Sequence, residues 1–320
     1  MSAPSLTPSK ARPARRHAPP RPAGPPSRRV RFTKSLRRNL TAHGFLVGAV
    51  LCFAVFSWYP MVREFVLAFQ KTESGHTSWV GLDNLTTVFH DPAFWQAWRN
   101  TALFTVLALL LGFAVPFVVA IVINEFHHGQ AYLRLLVYLP VMLPPVASVL
   151  LFKYLYDPGY GLLNEMLRFL HLPEQQWLQD ADLSMLSVVI AATWMNMGGA
   201  ALIYLAALQG IPGELYEAAE LDGAGLLRKI WHVTIPQTRL ILSLMLLMQI
   251  IATMQVFVEP FLLTGGAGPE GSTTTVVYLI YQYAFNFNNY GAAAALGLLL
   301  LVLLAGFSGA YAKLSRADDE

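Results

Sequence analysis

"TALFTVLALLLGFAVPFVVAIVI", residues 101–123, contains no charged residue and is apolar on every face of a helix. A helix rising about 1.5 Å per residue needs roughly 20 such residues to cross about 30 Å of hydrocarbon. A barrel strand would instead run for about ten residues and alternate polar with apolar positions. The stretch therefore reads as a transmembrane helix, which satisfies its backbone polar groups internally. Similar runs lie near 41–62, 134–155, 183–209, 240–262 and 291–312, making six crossings with the first. Composition agrees, with 55% of residues hydrophobic, 13% charged and a mean hydropathy of +0.47. The chain reads as an all-α integral membrane protein with six transmembrane helices. Its single cysteine, Cys52, falls inside the first run, which leaves no disulfide framework and no thiol metal site.

Orientation follows from the basic residues. Lys10, Arg12, Arg15, Arg16, Arg21, Arg28, Arg29, Arg31, Lys34, Arg37 and Arg38 precede the first crossing without one acid among them. Such an excess marks the cytoplasmic side, and six crossings return the C-terminus to it. Arg134, Arg228, Lys229, Arg239, Lys313 and Arg316 then also lie inside, while the segments near 63–100, 156–182 and 263–290 lie outside. Residues 1–39 read as a disordered basic tail that sets topology and is attracted to anionic lipid; residues 40–320 form the transmembrane domain. In the outer segment "HDPAFWQAWRN", residues 90–100, Asp91 is placed to cap a helix beginning at Pro92. Phe94, Trp95 and Trp98 give that helix an aromatic side, which predicts an interfacial helix along the outer face.

One cytoplasmic segment is unlike its surroundings. In "IPGELYEAAELDGAG", residues 211–225, Pro212 suits a first turn, Glu214 and Glu217 sit at the positive end of the helix dipole, and Gly223 supplies a stop. A helix of about ten residues is marginal in water unless something packs on it. Its apolar and small residues, Leu215, Ala218, Ala219 and Leu221, therefore need a covering surface. "LLRKIWHVTIP", residues 226–236, follows at once, and Pro236 marks re-entry to the next crossing. The loop 210–239 thus predicts a compact helix-turn-helix protrusion.

Glu217, Ala218, Ala219, Asp222, Gly223, Ala224 and Ile235-Pro236 match the EAA signature, with Ile where Leu is usual before the proline. The segment resembles the coupling loop of permease subunits in binding-protein-dependent ABC importers. "VGLDNLTTVFHDPAFWQAWRNT" (80–101), "YLPVMLPPVASVLLFKYLYDPGYGLLN" (138–164) and "LLTGGAGPEGSTTTVVYLIYQYAF" (262–285) extend the likeness. They are most similar to the maltose-type or lactose-type first permease of the sugar-importing branch. The likeness covers roughly 40–315 and departs at the usual GGP turn, expanded here to Gly265-Gly266-Ala267-Gly268-Pro269.

The resemblance implies a type I ABC importer transmembrane domain in a bacterial cytoplasmic membrane. It implies a heterodimer with a second permease, two ATP-binding cassette subunits and an extracytoplasmic solute-binding protein that delivers a sugar. ATP and Mg belong to the partner ATPases, because this chain has no ATP site of its own. Its glycine-rich stretch "TGGAGPEGST" (264–273) lacks the Gly-Lys-Ser/Thr ending of a P-loop. By resemblance, Glu217 faces a polar or basic group of the ATPase, Ala218 and Ala219 allow close packing, and Gly223 sets the turn. Asp222 and Pro236 complete the coupling set.

For the substrate pathway the crossings offer few ionisable groups, with Lys153 and Glu259 toward the predicted outer ends. A neutral substrate fits such a bundle better than a proton relay or a phosphate. Sugar hydroxyls need amides, hydroxyls and aromatic faces, and Trp194, Asn196, Gly199, Thr253 and Gln255 are the candidates at depth, with Gly198 allowing close approach. By resemblance the pocket positions fall at Val141, Pro145, Asn196, Gly199, Thr253 and Val256. Pro140, Pro144 and Pro145 remove backbone donors and predict a kinked or unwound third crossing. His127 and His128 beside Glu125 lack a third ligand for a metal, and nothing points to nucleic acid. An ion-coupled secondary transporter is the alternative; it needs buried charges and no cytoplasmic protrusion. A membrane enzyme needs a catalytic constellation that the crossings lack.

Overall fold

A computed structural model describes residues 44, 46–73, 76–126 and 128–317. The basic tail 1–39 and His127 therefore lie outside the described residues. The chain divides into two compact units, Met1–Pro60 and Met61–Glu320. In the first, the described residues are helical, with a π-turn over Ala54–Trp58.

Among the described residues, five helices are long and apolar enough to cross a membrane: α1 (Leu46–Leu67), α3 (Pro92–Glu125), α7 (Ala181–Gln209), α9 (Leu226–Met254) and α12 (Tyr290–Lys313). A bent pair, α4 (Gln130–Met142) and α5 (Pro145–Leu155), supplies the sixth crossing and turns through 98° at its break. The prolines explain the bend. Leu143 and Pro144 each precede a proline and take extended ψ values of 141° and 135°, because the ring that follows disfavours the helical region. The predicted broken third crossing is thus present.

Three expectations need correction. Asp91 does cap the helix at Pro92, its carboxylate accepting from the Ala93 amide at 2.8 Å. That helix does not end on the outer face, however; it runs unbroken into the second crossing, and Phe94 is buried beside Val88 and Val276 instead of anchoring at an interface. Pro236 does not interrupt its helix either. A π-turn over Ile230–Thr234, in which the Ile235 amide reaches the Ile230 carbonyl, rearranges the ladder where Pro236 has no N–H to give. Finally, the run near 240–262 is not one helix: α9 stops at Met254 and α10 (Val258–Thr264) starts anew. The restart places Pro260 in a first turn, where its missing donor has no intrahelical role.

Shorter elements join the crossings. A two-stranded antiparallel hairpin, β1 (Gln70–Glu73) with β2 (His76–Trp79), adds a small sheet to the helical architecture. Asn84, on α2 (Asp83–His90), donates to the carbonyls of Ala68 and Gln70 at 2.9 Å each and ties the hairpin down. α6 (Leu162–Phe169) follows α5, and α8 (Gly213–Leu221) precedes α9. α11 (Val276–Tyr281) continues as a π-turn to Asn286. There the buried Tyr283 hydroxyl donates to the Asp91 carboxylate; burial first, and that bond second, push its phenol well above the usual range.

α7 is the axis of the bundle and packs against α3, α4, α5, α9 and α10. Tyr204 stands edge-on between Phe113 and Phe117, at 5.9 and 5.4 Å between ring centres. Gly198 lets α4 approach closely: a Cβ there would lie 2.5 Å from the Val137 carbonyl oxygen.

Candidate functional site

Two places concentrate the predicted residues. The first is the hairpin of α8 and the start of α9. Gly223 takes φ +74°, a conformation that a Cβ disfavours. Around it the Ala224 amide reaches the Ala219 carbonyl and the Gly223 amide reaches that of Glu220, both at 2.9 Å, which together make a Schellman closure. Lys229 Nζ donates to Glu220 Oε1 at 2.7 Å, and the Tyr216 and Thr234 hydroxyls meet at 3.0 Å. These contacts hold the two limbs as one piece.

The outward face of that piece is bare. No residue of α8 is buried. Glu217, Ala218, Asp222, Gly223 and Pro236 are exposed and Ala219 is half-buried. Leu221 is 91% exposed, Leu227 74% and Trp231 67%. The covering surface that the sequence requires is not supplied by the described residues of this chain. Exposed large apolar side chains clustered in this way mark an interaction face.

The second place is a cavity of about 490 Å³ where two breaks in the bundle meet. Pro140, Val141, Leu143 and Pro145 come from the break between α4 and α5; Thr253, Gln255, Val256 and Phe257 come from the break between α9 and α10. α7 supplies Thr193, Asn196 and Ala200, and α3 supplies Phe104, Ala108 and Gly112. Of the predicted pathway residues, Asn196, Thr253 and Gln255 line this space. Trp194 does not; it is half-buried and stands edge-on to Phe152 at 5.4 Å. Gly199 is not in the lining either, and a Cβ there would meet nothing within 4 Å.

Sequence reasoning missed Gln249, Ser148 and Glu259, among other members of the lining. Gln249, on α9, donates to the Ala108 carbonyl at 3.4 Å. Ser148, on α5, is 1% exposed, and its hydroxyl has no hydrogen-bonding partner among the described residues. Glu259, read as lying toward an outer end, faces the cavity because α9 stops short and α10 turns it inward. The one signal for it was an acid just before Pro260 in an otherwise apolar run, and only the break gives that acid an address.

Residues 124–317, which hold both the hairpin and most of the cavity lining, match the family model described as "Binding-protein-dependent transport system inner membrane component". The chain belongs to that family. This inner-membrane component is 33% identical over 282 residues to the probable ABC transporter permease protein YurN of Bacillus subtilis, covering 86% of this chain and 96% of the relative. It is 31% identical to the arabinooligosaccharides transport system permease protein AraP of the same organism, over 85% of this chain and 87% of the relative. It is also 31% identical to the trehalose/maltose transport system permease protein MalF of Thermococcus litoralis, over 85% and 91%. Among solved structures, a chain of a bacterial ABC transporter involved in the import of the acidic polysaccharide alginate superposes with a TM-score of 0.79 at 25% identity, covering 90% of this component and 99% of that chain.

Proposed function

We propose that this inner-membrane component is one permease subunit of an ATP-driven importer that carries a sugar across a bacterial cytoplasmic membrane. It pairs with a second permease and sits on two ATP-binding cassette subunits, which hold the ATP and Mg. An extracytoplasmic solute-binding protein delivers the sugar, and both termini of the chain are cytoplasmic. The observation that carries the reading is the rigid, uncovered α8–α9 hairpin. Glu217, Ala218, Ala219, Asp222, Gly223 and Pro236 present a small-residue face that a cleft of an ATPase can close upon. Because α9 runs without interruption from Leu226 to Met254, displacement of the hairpin moves the helix whose far end borders the cavity. The relatives that carry oligosaccharide names support a sugar as cargo.

The test is the ATPase activity of the assembled complex in lipid nanodiscs, with binding protein and a panel of oligosaccharides. Gly223→Pro fixes φ near −65° where +74° is required. The expected outcome is sugar-stimulated hydrolysis in the wild type and loss of stimulation in the variant, with assembly intact. Uptake unchanged in Gly223→Pro would overturn the lever.

A further inference from the structure

Among the described residues, Glu259 is the only charged one that lines the cavity, and no Lys, Arg or His pairs with it. Its place is fixed from one side. Asn196 Nδ2 donates to Glu259 Oε1 at 3.2 Å and to the Ala192 carbonyl of its own helix at 2.9 Å. One amide hydrogen of Asn196 thus holds the carboxylate and the other its own helix, which leaves the second carboxylate oxygen and the Asn196 Oδ1 as acceptors. Other polar groups of the lining spend part of their donor capacity on nearby backbone. Gln249 gives one hydrogen to Ala108, Gln255 gives one to Ile251 at 3.1 Å, and the Thr253 hydroxyl donates to Gln249 at 2.8 Å. The Ser148 hydroxyl, also in the lining, has no hydrogen-bonding partner among the described residues.

Resting on the reading of this cavity as a sugar pathway, we infer that Glu259, positioned by Asn196, selects the charge class of the cargo. The saccharide that passes is neutral or carries amino groups, and an acidic saccharide is refused. The reason is physical. A carboxylate lining the path without a counter-cation repels a second carboxylate or a sulfonate, whereas it accepts strong hydrogen bonds from hydroxyl or ammonium donors. An acidic cargo would need a lining cation, and among the described residues the cavity has none. A chain of the importer of the acidic polysaccharide alginate shares this fold, so the fold by itself does not set the charge class of the cargo.

The experiment is equilibrium dialysis of radiolabelled trisaccharides against the purified complex in nanodiscs: one neutral gluco-trisaccharide, one of glucosamine and one of galacturonate. The expected result is binding of the neutral and glucosamine forms, with the galacturonate form weaker by about ten- to a hundredfold, the worth of one charged hydrogen bond. Glu259→Gln keeps the shape and removes the charge. It should narrow that ratio at least about tenfold, with Glu259→Asp restoring it. Equal binding of galacturonate by the wild type, no binding of any probe, or a ratio unchanged in Glu259→Gln would each overturn the inference. Binding-protein-stimulated ATPase activity is read in parallel. A complex that is stimulated but does not discriminate charge defeats this inference alone, whereas an unstimulated complex defeats the importer reading itself.

Discussion

Lys229 donates to Glu220 at 2.7 Å, so the first turn of α9 is clasped to the last turn of α8 across the Gly223 corner. The ammonium side chain is 16% exposed and the carboxylate 62%, which places the pair at the solvent edge. An ion pair of that kind contributes little to stability and is screened by salt. Lys229→Met should therefore lower the melting temperature of the complex only slightly, and the difference from wild type should shrink at high salt. Thermal melts at low and high ionic strength check both halves of the statement.

The corner itself should be far more sensitive than the clasp. A Cβ at Gly223 would meet nothing within 4 Å, so substitution there reports backbone conformation alone. Gly223→Ala should destabilise the hairpin by roughly 1–2 kcal/mol, the penalty of a left-handed conformation for an ordinary side chain. Gly223→Asn should fall between Ala and wild type, because Asn visits that region more readily. Sugar-stimulated ATPase activity across the series Gly, Asn, Ala and Pro should decline in that order.

How far the sequence discloses this architecture depends on the range of the interaction. The crossings are legible because a run such as 101–123 meets the bilayer requirement by itself, and the turn at Gly223 because its stop signal is local. Continuity is not legible in the same way. Asp91-Pro92 begins a helix in either reading, and only the burial of Phe94 against Val276 decides that this helix goes on into the second crossing. Pro236 is tolerated through a π-turn whose register no single residue announces. Glu259 reaches the cavity through a break at Gln255–Phe257, so its role depends on chain geometry rather than on its neighbours. Trp194, chosen for its aromatic face, packs instead on Phe152, a partner far from it in the chain.

The glycine-rich loop at 265–271 depends on a distant amide. Asn100 Nδ2, on a residue 7% exposed, donates to the carbonyls of Gly271 at 2.8 Å and Thr274 at 3.0 Å, bracing the expanded turn against α3. Asn100→Ala would leave both carbonyls without that donor at a site with little access to water. A loss of about 1–3 kcal/mol follows. Proteolysis within 265–275, measured on the intact complex, should accelerate in the variant. An unchanged cleavage rate would show that the loop is held by other contacts, such as the Thr264 and Thr273 hydroxyls that meet at 2.6 Å.

Gly198 and Gly199 are adjacent on α7 yet should respond in opposite ways. A Cβ on Gly198 would lie 2.5 Å from the Val137 carbonyl oxygen and 2.9 Å from the Tyr138 Cα, both backbone atoms of α4 that no rotamer change can move. α4 must shift outward as a body, at about 1–3 kcal/mol for overpacking of this kind. Val141, one turn further along α4, lines the cavity, so the shift should also alter transport. A Cβ on Gly199 would meet nothing within 4 Å, and Ala is the better helix former by about 1 kcal/mol. Gly199→Ala should therefore keep or slightly raise the melting temperature with uptake unchanged, while Gly198→Ala lowers both. Melting curves and uptake rates measured side by side decide it: equal behaviour of the two variants would mean that the close approach of α4 and α7 at Gly198 does not set the cavity.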